Sequence, residues 1–124
     1  IVSYVPQDAG FLRGSLSRFA EEAAIDGSLF KTILRKLDFS RVQFEKDMAD
    51  YSAGQKKKVL LARSLCQRAH LYLWDEPLNY VDLFSRIQLE ELLCSAPGTM
   101  LLVEHDARFL EAIGARTVVL APAD

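Results

Sequence analysis

Only two cysteines occur in the 124 residues, Cys66 and Cys94, and they fall in separate helix patterns with no metal-ligand spacing. That excludes a disulfide scaffold and a zinc framework, and both are read as free buried thiols in a reducing, cytoplasmic setting. No apolar run approaches the roughly 18 residues of a membrane span, so direct membrane insertion is not expected. A formal net charge of −2 excludes a bulk basic field that would draw nucleic acid. Of six glycines none begins a G-x-x-x-x-G-K-[ST] loop, the usual backbone cradle for phosphates. Internal repeats, low-complexity tracts and linkers are also missing.

What remains has the balance of an ordinary soluble domain, 50% hydrophobic and 26% charged, and the length allows one domain at most or part of one. Ile1 to Val5 reads as a strand already in mid-fold, so the sequence is expected to begin inside a domain rather than at its start. It is organised around the stretch from Tyr51 to Asp82. There a small-residue turn, Ser52-Ala53-Gly54-Gln55, opens a helix running to about Arg68. The apolar run Leu71-Tyr72-Leu73-Trp74 follows, then the acids Asp75-Glu76, cut off by Pro77. An uninterrupted apolar run of strand length predicts a parallel strand buried on both faces. Acids at its carboxyl end lie where open α/β sheets hold ligands, and a helix tip beside two carboxylates suits a nucleoside triphosphate and Mg²⁺.

Gln7 to Gly10 follows the first strand as a loop. Leu16, Phe19, Ala20, Ala23 and Ala24 repeat at helical spacing behind Ser15, a favoured cap, and Asp26-Gly27 breaks that helix. A second helix is predicted from Ser28 to Leu37, with Leu29, Ile33, Leu34 and Leu37 inside and Lys31, Arg35 and Lys36 outside. A short helix is placed around Val42 to Lys46. Beyond Pro77, helices are expected over about Leu83–Cys94 and Ala107–Ile113, and strands over Thr99–Val103 and Thr117–Leu120. Trp74 is taken as core. Strands alternating with helices predict an α/β parallel sheet, with the helical insert forming a small lobe.

The wording SAGQ-KKKVLLARSL, LYLWDEP, LNYVD and then EHD after the next strand resembles the ATPase domain of ABC proteins. It looks most like the second ATPase domain of the ABC-F translation factors, in their antibiotic-resistance, ribosome-protection branch. The resemblance implies an ABC-type P-loop NTPase sheet with a helical lobe, here partial and lacking the Walker A strand and loop. Residues 1–13 would be the Q-loop strand and loop, 14–50 the helical lobe, and 51–124 the signature helix, Walker B, D-loop, switch and final strand.

The resemblance also implies roles. Ser52, Ala53, Gly54 and Gln55 match the signature that contacts the γ-phosphate of ATP held by a partner ATPase domain; Ala53 departs from the commoner glycine but stays small. Asp75 matches the Walker B aspartate that positions Mg²⁺, and Glu76 the catalytic glutamate that orients or deprotonates the attacking water. Gln7 matches the glutamine that touches Mg²⁺ or that water. His105 matches the switch histidine on the γ-phosphate. Asp82 matches the D-loop aspartate at the dimer seam, and a helix cap before Leu83 explains it equally well. Lys56, Lys57 and Lys58 are read as a solvated face, with proximity to nucleotide or ribosomal RNA as the other option.

Without the Walker A loop the isolated segment is expected to bind ATP poorly and to hydrolyse none. In the family's sheet the missing strand lies between those at Thr99–Val103 and Thr117–Leu120, so open strand edges and self-association are expected. The expected partners of the parent are a second ATPase domain and the ribosome. The rival readings are an ABC transporter's ATPase subunit and a truncated, non-catalytic interaction module.

Overall fold

The computed structural model describes residues 2–94, 99–104 and 106–114. Three parallel strands form its frame in the order β1 (Val2–Val5), β2 (Leu71–Asp75), β3 (Thr99–Val103). Tyr4 lies opposite Leu73, Leu73 opposite Leu101, and Asp75 opposite Val103. All three strands therefore end at one edge, where Gln7, Glu76 and Glu104 follow them.

Between β1 and β2 the chain makes α1 (Leu16–Glu22), α2 (Gly27–Lys36), α3 (Arg41–Glu45), a 3-10 turn (Met48–Asp50) and α4 (Ala53–Cys66). Ser15 caps α1 through its Oγ, which accepts from the Arg18 amide. Asp26 accepts from the amides of Ser28 and Leu29, so the predicted break is also the cap of the next helix. On α2 the buried stripe is Phe30, Ile33, Leu34 and the following Leu37, while Leu29 is exposed. Phe30 thus takes the interior in place of the expected Leu29. Gly14, at φ +90°, turns the loop so that its amide donates to Asp47 Oδ1 and its carbonyl accepts from the Met48 amide.

α4 is the most enclosed helix: Val59, Leu60, Leu61 and Ala62 are all fully buried. It packs against α2 and β1. Trp74 is fully buried as expected, and its Nε1 donates to Ser64 Oγ of α4 at 2.8 Å. Ser64 Oγ also shares a 2.6 Å hydrogen bond with Ser3 Oγ of β1, so a polar seam runs through the apolar layer with its groups paired. Beyond β2 and β3 come α5 (Leu83–Cys94) and α6 (Ala107–Ala112), joined by Arg108 Nη1 to Glu90 Oε1 at 2.6 Å.

Several expectations change. Helix α4, expected to run to about Arg68, ends at Cys66. β2 was expected to be covered on both faces, yet only Trp74 is buried along it. The opposite face of the sheet leaves Val2, Tyr4, Leu101 and Val103 exposed, each by about half. Cys66 is half-buried and Cys94 exposed, because α5 turns its last residue outward. The strand expected at Thr117–Leu120 lies outside the described residues, together with the open strand position inferred beside it.

Candidate active site

At the carboxyl edge of the sheet the Glu76 side chain is held by two amides. Gln7 Nε2 donates to Glu76 Oε2 at 2.8 Å, and Asn79 Nδ2 donates to the same oxygen at 2.9 Å. Neutral amides orient a carboxylate without cancelling its charge, which leaves it able to take a proton. The Glu76 amide donates to Val103 O at 2.8 Å, extending the strand ladder by one residue. Glu76 itself sits at φ +44°, a left-handed conformation costing a non-glycine residue on the order of 1 kcal/mol or more. That strain turns the chain sharply at the acid pair and is maintained by the hydrogen bonds around it. Glu104, beyond β3, accepts from the Leu78 amide at 3.3 Å and steadies the loop after Pro77.

The tip of α4 is a reciprocal cap. Ser52 Oγ accepts from the Gln55 amide, and Gln55 Oε1 accepts from the Ser52 amide at 2.9 Å. The following amides of Ala53 and Gly54 belong to the first turn, where helix N–H groups have no intrahelical acceptor. A Cβ added at Gly54 would lie 2.3 Å from the Tyr80 carbonyl oxygen, so glycine is needed here for close approach of the 78–82 loop. Tyr80, at φ +66°, is mostly exposed above that contact.

Lys58 and Asp82 fasten the same loop. Lys58 Nζ lies 2.8 Å from Asp82 Oδ1, and the amide and hydroxyl of Ser85 also donate to the Asp82 carboxylate. Of the two readings of Asp82, the helix cap is the one observed: its carboxylate caps α5 and ties that cap to Lys58 of α4. Burial pushes its carboxyl up, but the hydrogen bonds from Lys58 and Ser85 outweigh burial and bring it down to about 2. Arg86 adds a clamp, donating to the Val81 and Leu78 carbonyls and reaching Asp106 Oδ2 at 3.4 Å.

The three consecutive lysines are not a solvated face. Lys57 is 1% exposed and Lys58 7%. Lys57 Nζ donates to Pro6 O at 3.0 Å and Gln7 O at 2.9 Å, with Asp75 O at 3.5 Å. Lys56 is half-buried and lines a cavity of about 380 Å³ together with Gln7, Asp8, Ala53, Asn79 and Tyr80.

Gln7, Asp75 and Glu76 thus meet at one sheet edge, and Ala53 of the α4 tip lines the same cavity as Gln7. Gly54 and Lys58 of α4 hold the 78–82 loop at Tyr80 and at Asp82. His105 lies outside the described residues. Asn79, Lys57 and Lys58 were missed in the sequence. The run of buried residues just after the lysines was the available signal, since a helix enclosed on several sides draws its neighbours inward. No group of three or more His, Cys, Asp or Glu side chains suited to a metal occurs among the described residues. An ion at Asp75 would take most of its ligands from phosphate and water, which is the habit of Mg²⁺. No helix among the described residues is long and apolar enough to cross a membrane.

The ABC transporter family model matches residues 1–79. The probable ATP-binding protein YheS of Escherichia coli (strain K12) is 42% identical over 82 residues, covering 66% of this chain and 13% of YheS. The ribosome protection protein VmlR of Bacillus subtilis (strain 168) is 37% identical over 81 residues, 65% of this chain and 15% of VmlR. Among solved structures, one titled RNase-L Inhibitor superposes with a TM-score of 0.72 at 23% identity, covering 90% of this chain and 23% of that one. That last likeness is one of fold. The chain spans only 13% of the length of YheS and 15% of VmlR.

Proposed function

Because this chain belongs to the ABC transporter family, we propose that it supplies the helical lobe, signature and acid pair of an ATP-hydrolysing domain in a longer protein. The observation that carries this reading is the Glu76 carboxylate, held at the sheet edge by Gln7 and Asn79. In that protein Glu76 orients and deprotonates the attacking water. Asp75, with Gln7, holds Mg²⁺, which when bound neutralises charge building on the phosphates. Ser52, Ala53, Gly54 and Gln55 present a helix tip to the γ-phosphate of ATP on a partner ATPase domain, Asp82 braces the seam between the two, and His105 contacts the γ-phosphate. The phosphate cradle comes from sequence beyond this chain, which has no G-x-x-x-x-G-K-[ST] loop and by itself turns over no ATP.

We further propose that the complete protein is a cytoplasmic ABC-F factor acting on the ribosome, in a branch that confers antibiotic resistance. The support is the likeness to VmlR, whose name describes ribosome protection. The test uses the complete protein. Glu76→Gln is expected to lower ATP turnover about a hundredfold or more while strengthening ATP-dependent cosedimentation with ribosomes. Turnover unchanged by Glu76→Gln overturns the hydrolytic reading; cosedimentation indifferent to ATP overturns the ribosomal one.

A further inference from the structure

Lys57 is a buried cation whose hydrogen-bond partners are main-chain carbonyls. Taking an ammonium out of water is unfavourable, and a methionine of similar length would fill the same space without that cost. What the ammonium reaches explains the choice. Pro6 O and Gln7 O, at 3.0 and 2.9 Å, are the carbonyls on either side of the Gln7 Cα, so the peptide planes flanking Gln7 are both held. Asp75 O, at 3.5 Å, belongs to the peptide plane that leads into Glu76. One charge therefore fixes the backbone at both ends of the hydrogen bond from Gln7 Nε2 to Glu76 Oε2. Burial pulls the Lys57 ammonium down from its ordinary range, while the charges of Asp75, Glu76, Glu104 and Asp8 act to keep the proton on. Lys57 also lies two residues beyond Gln55 on α4, whose tip carries Ser52 to Gln55 and whose next lysine holds Asp82.

Resting on the ATP-hydrolysing reading above, we propose that Lys57 is a positioning residue: it sets the Gln7–Glu76 pair from the signature helix, so that a shift of the helix tip is transmitted to the water-activating carboxylate. Its hydrogen bonds run to main-chain carbonyls, so it acts through the strand ends.

In the complete protein, Lys57→Met is expected to lower kcat for ATP hydrolysis about tenfold or more with KM for ATP within about twofold, since misplaced groups of this kind cost turnover rather than binding. Lys57→Arg, which restores a cation, is expected to recover a substantial part of the rate. A second readout needs no activity. Peptide-resolved hydrogen exchange in Lys57→Met should rise at the amides of residues 7–8 and 75–76 and stay unchanged across residues 59–62 of α4. Should Lys57→Met not fold, Lys57→Gln, a neutral donor, takes its place with the same thresholds. Wild-type kcat in the neutral variant overturns the proposal, as does a rise in exchange spread evenly over the domain or an Arg variant no better than Met. If Glu76→Gln itself leaves turnover unchanged, the hydrolytic reading fails instead, and the exchange pattern still decides what Lys57 holds.

Discussion

Gln7 and Glu76 are separated by 69 positions in sequence and joined by a 2.8 Å hydrogen bond between the amide of one and the carboxylate of the other. The bond closes the gap between the loop after β1 and the sharp turn after β2, and it makes the helical lobe's entry strand sensitive to the state of the acid pair. Any movement of the lobe that drags Gln7 must stretch that bond or turn the carboxylate.

Asn79 shares the same carboxylate oxygen at 2.9 Å, from the loop after Pro77. Asn79→Ala in the complete protein is expected to lower kcat about tenfold with KM for ATP nearly unchanged, because on the proposed reading Glu76 is the base and its misorientation costs the reaction step and not the binding. Asn79→Asp should do worse. A carboxylate there cannot donate to Glu76 Oε2 and repels it, so the Glu76 side chain is pushed away from its place at the sheet edge. Steady-state phosphate release checks both.

Gly54 is constrained by the main chain of the 78–82 loop and not only by what its amide faces. A Cβ there meets Tyr80 O at 2.3 Å, an atom that cannot swing aside as a side-chain end would. Gly54→Ala is expected to destabilise by about 1–3 kcal/mol through overpacking. Ala53→Gly, one residue earlier on the exposed tip, should cost no more than about 1 kcal/mol of helix propensity. Urea midpoints of the two variants separate these effects.

Much of this architecture could be read from residue order. Leu71–Trp74 ending in Asp75-Glu76, and Thr99–Met100–Leu101–Leu102–Val103 ending in Glu104, are strands because each is a short apolar run stopped by polar residues, and the parallel register then brings their ends together. Ser52 and Ser15 announce their helices by capping. What escaped was whatever depends on the third dimension. Three lysines in a row look like a wet face, yet the second and third point inward because α4 is surrounded, and carbonyls and Asp82 await them. Apolar runs showed that both faces of the sheet are written for burial, while Val2, Tyr4, Leu101 and Val103 remain exposed on one of them. Asn79 carried no signal until the turn at Glu76 folded it back.

The two cysteines should differ in reactivity. Burial, aided by the charge of Asp26, pushes the Cys66 thiol up to about 11, so at pH 8 only about one molecule in a thousand carries the nucleophilic thiolate there. Cys94 is exposed at the end of α5, with Sγ 3.5 Å from Ala112 O. Iodoacetamide at pH 8 is expected to label Cys94 and spare Cys66, as read by peptide mass spectrometry. Cys66→Ser should leave the labelling stoichiometry unaltered. Preferential labelling of Cys66 in the native protein would contradict its enclosure between α4 and its neighbours.

Lys58 and Asp82 give the 78–82 loop a pH dependence with a definite sign. The Asp82 carboxyl falls to about 2 in the fold from an ordinary 3.8, so between those values the unfolded chain binds more protons than the folded one. The stabilisation is therefore complete above the unfolded value and disappears as pH falls through the folded one. Asp82→Asn removes the charge and strands Lys58, which is only 7% exposed, so the variant should be less stable than wild type at neutral pH. Urea midpoints of the pair should stay separated by a constant amount from about pH 8 down to about pH 5, then converge as the wild-type carboxylate is protonated toward about pH 2. Half of the Asp82 side chain faces solvent, so molar salt should narrow the separation at neutral pH without abolishing it. A separation that persists undiminished at pH 2 would mean that Asp82 stabilises through the shape of its cap on Ser85 and not through its charge on Lys58.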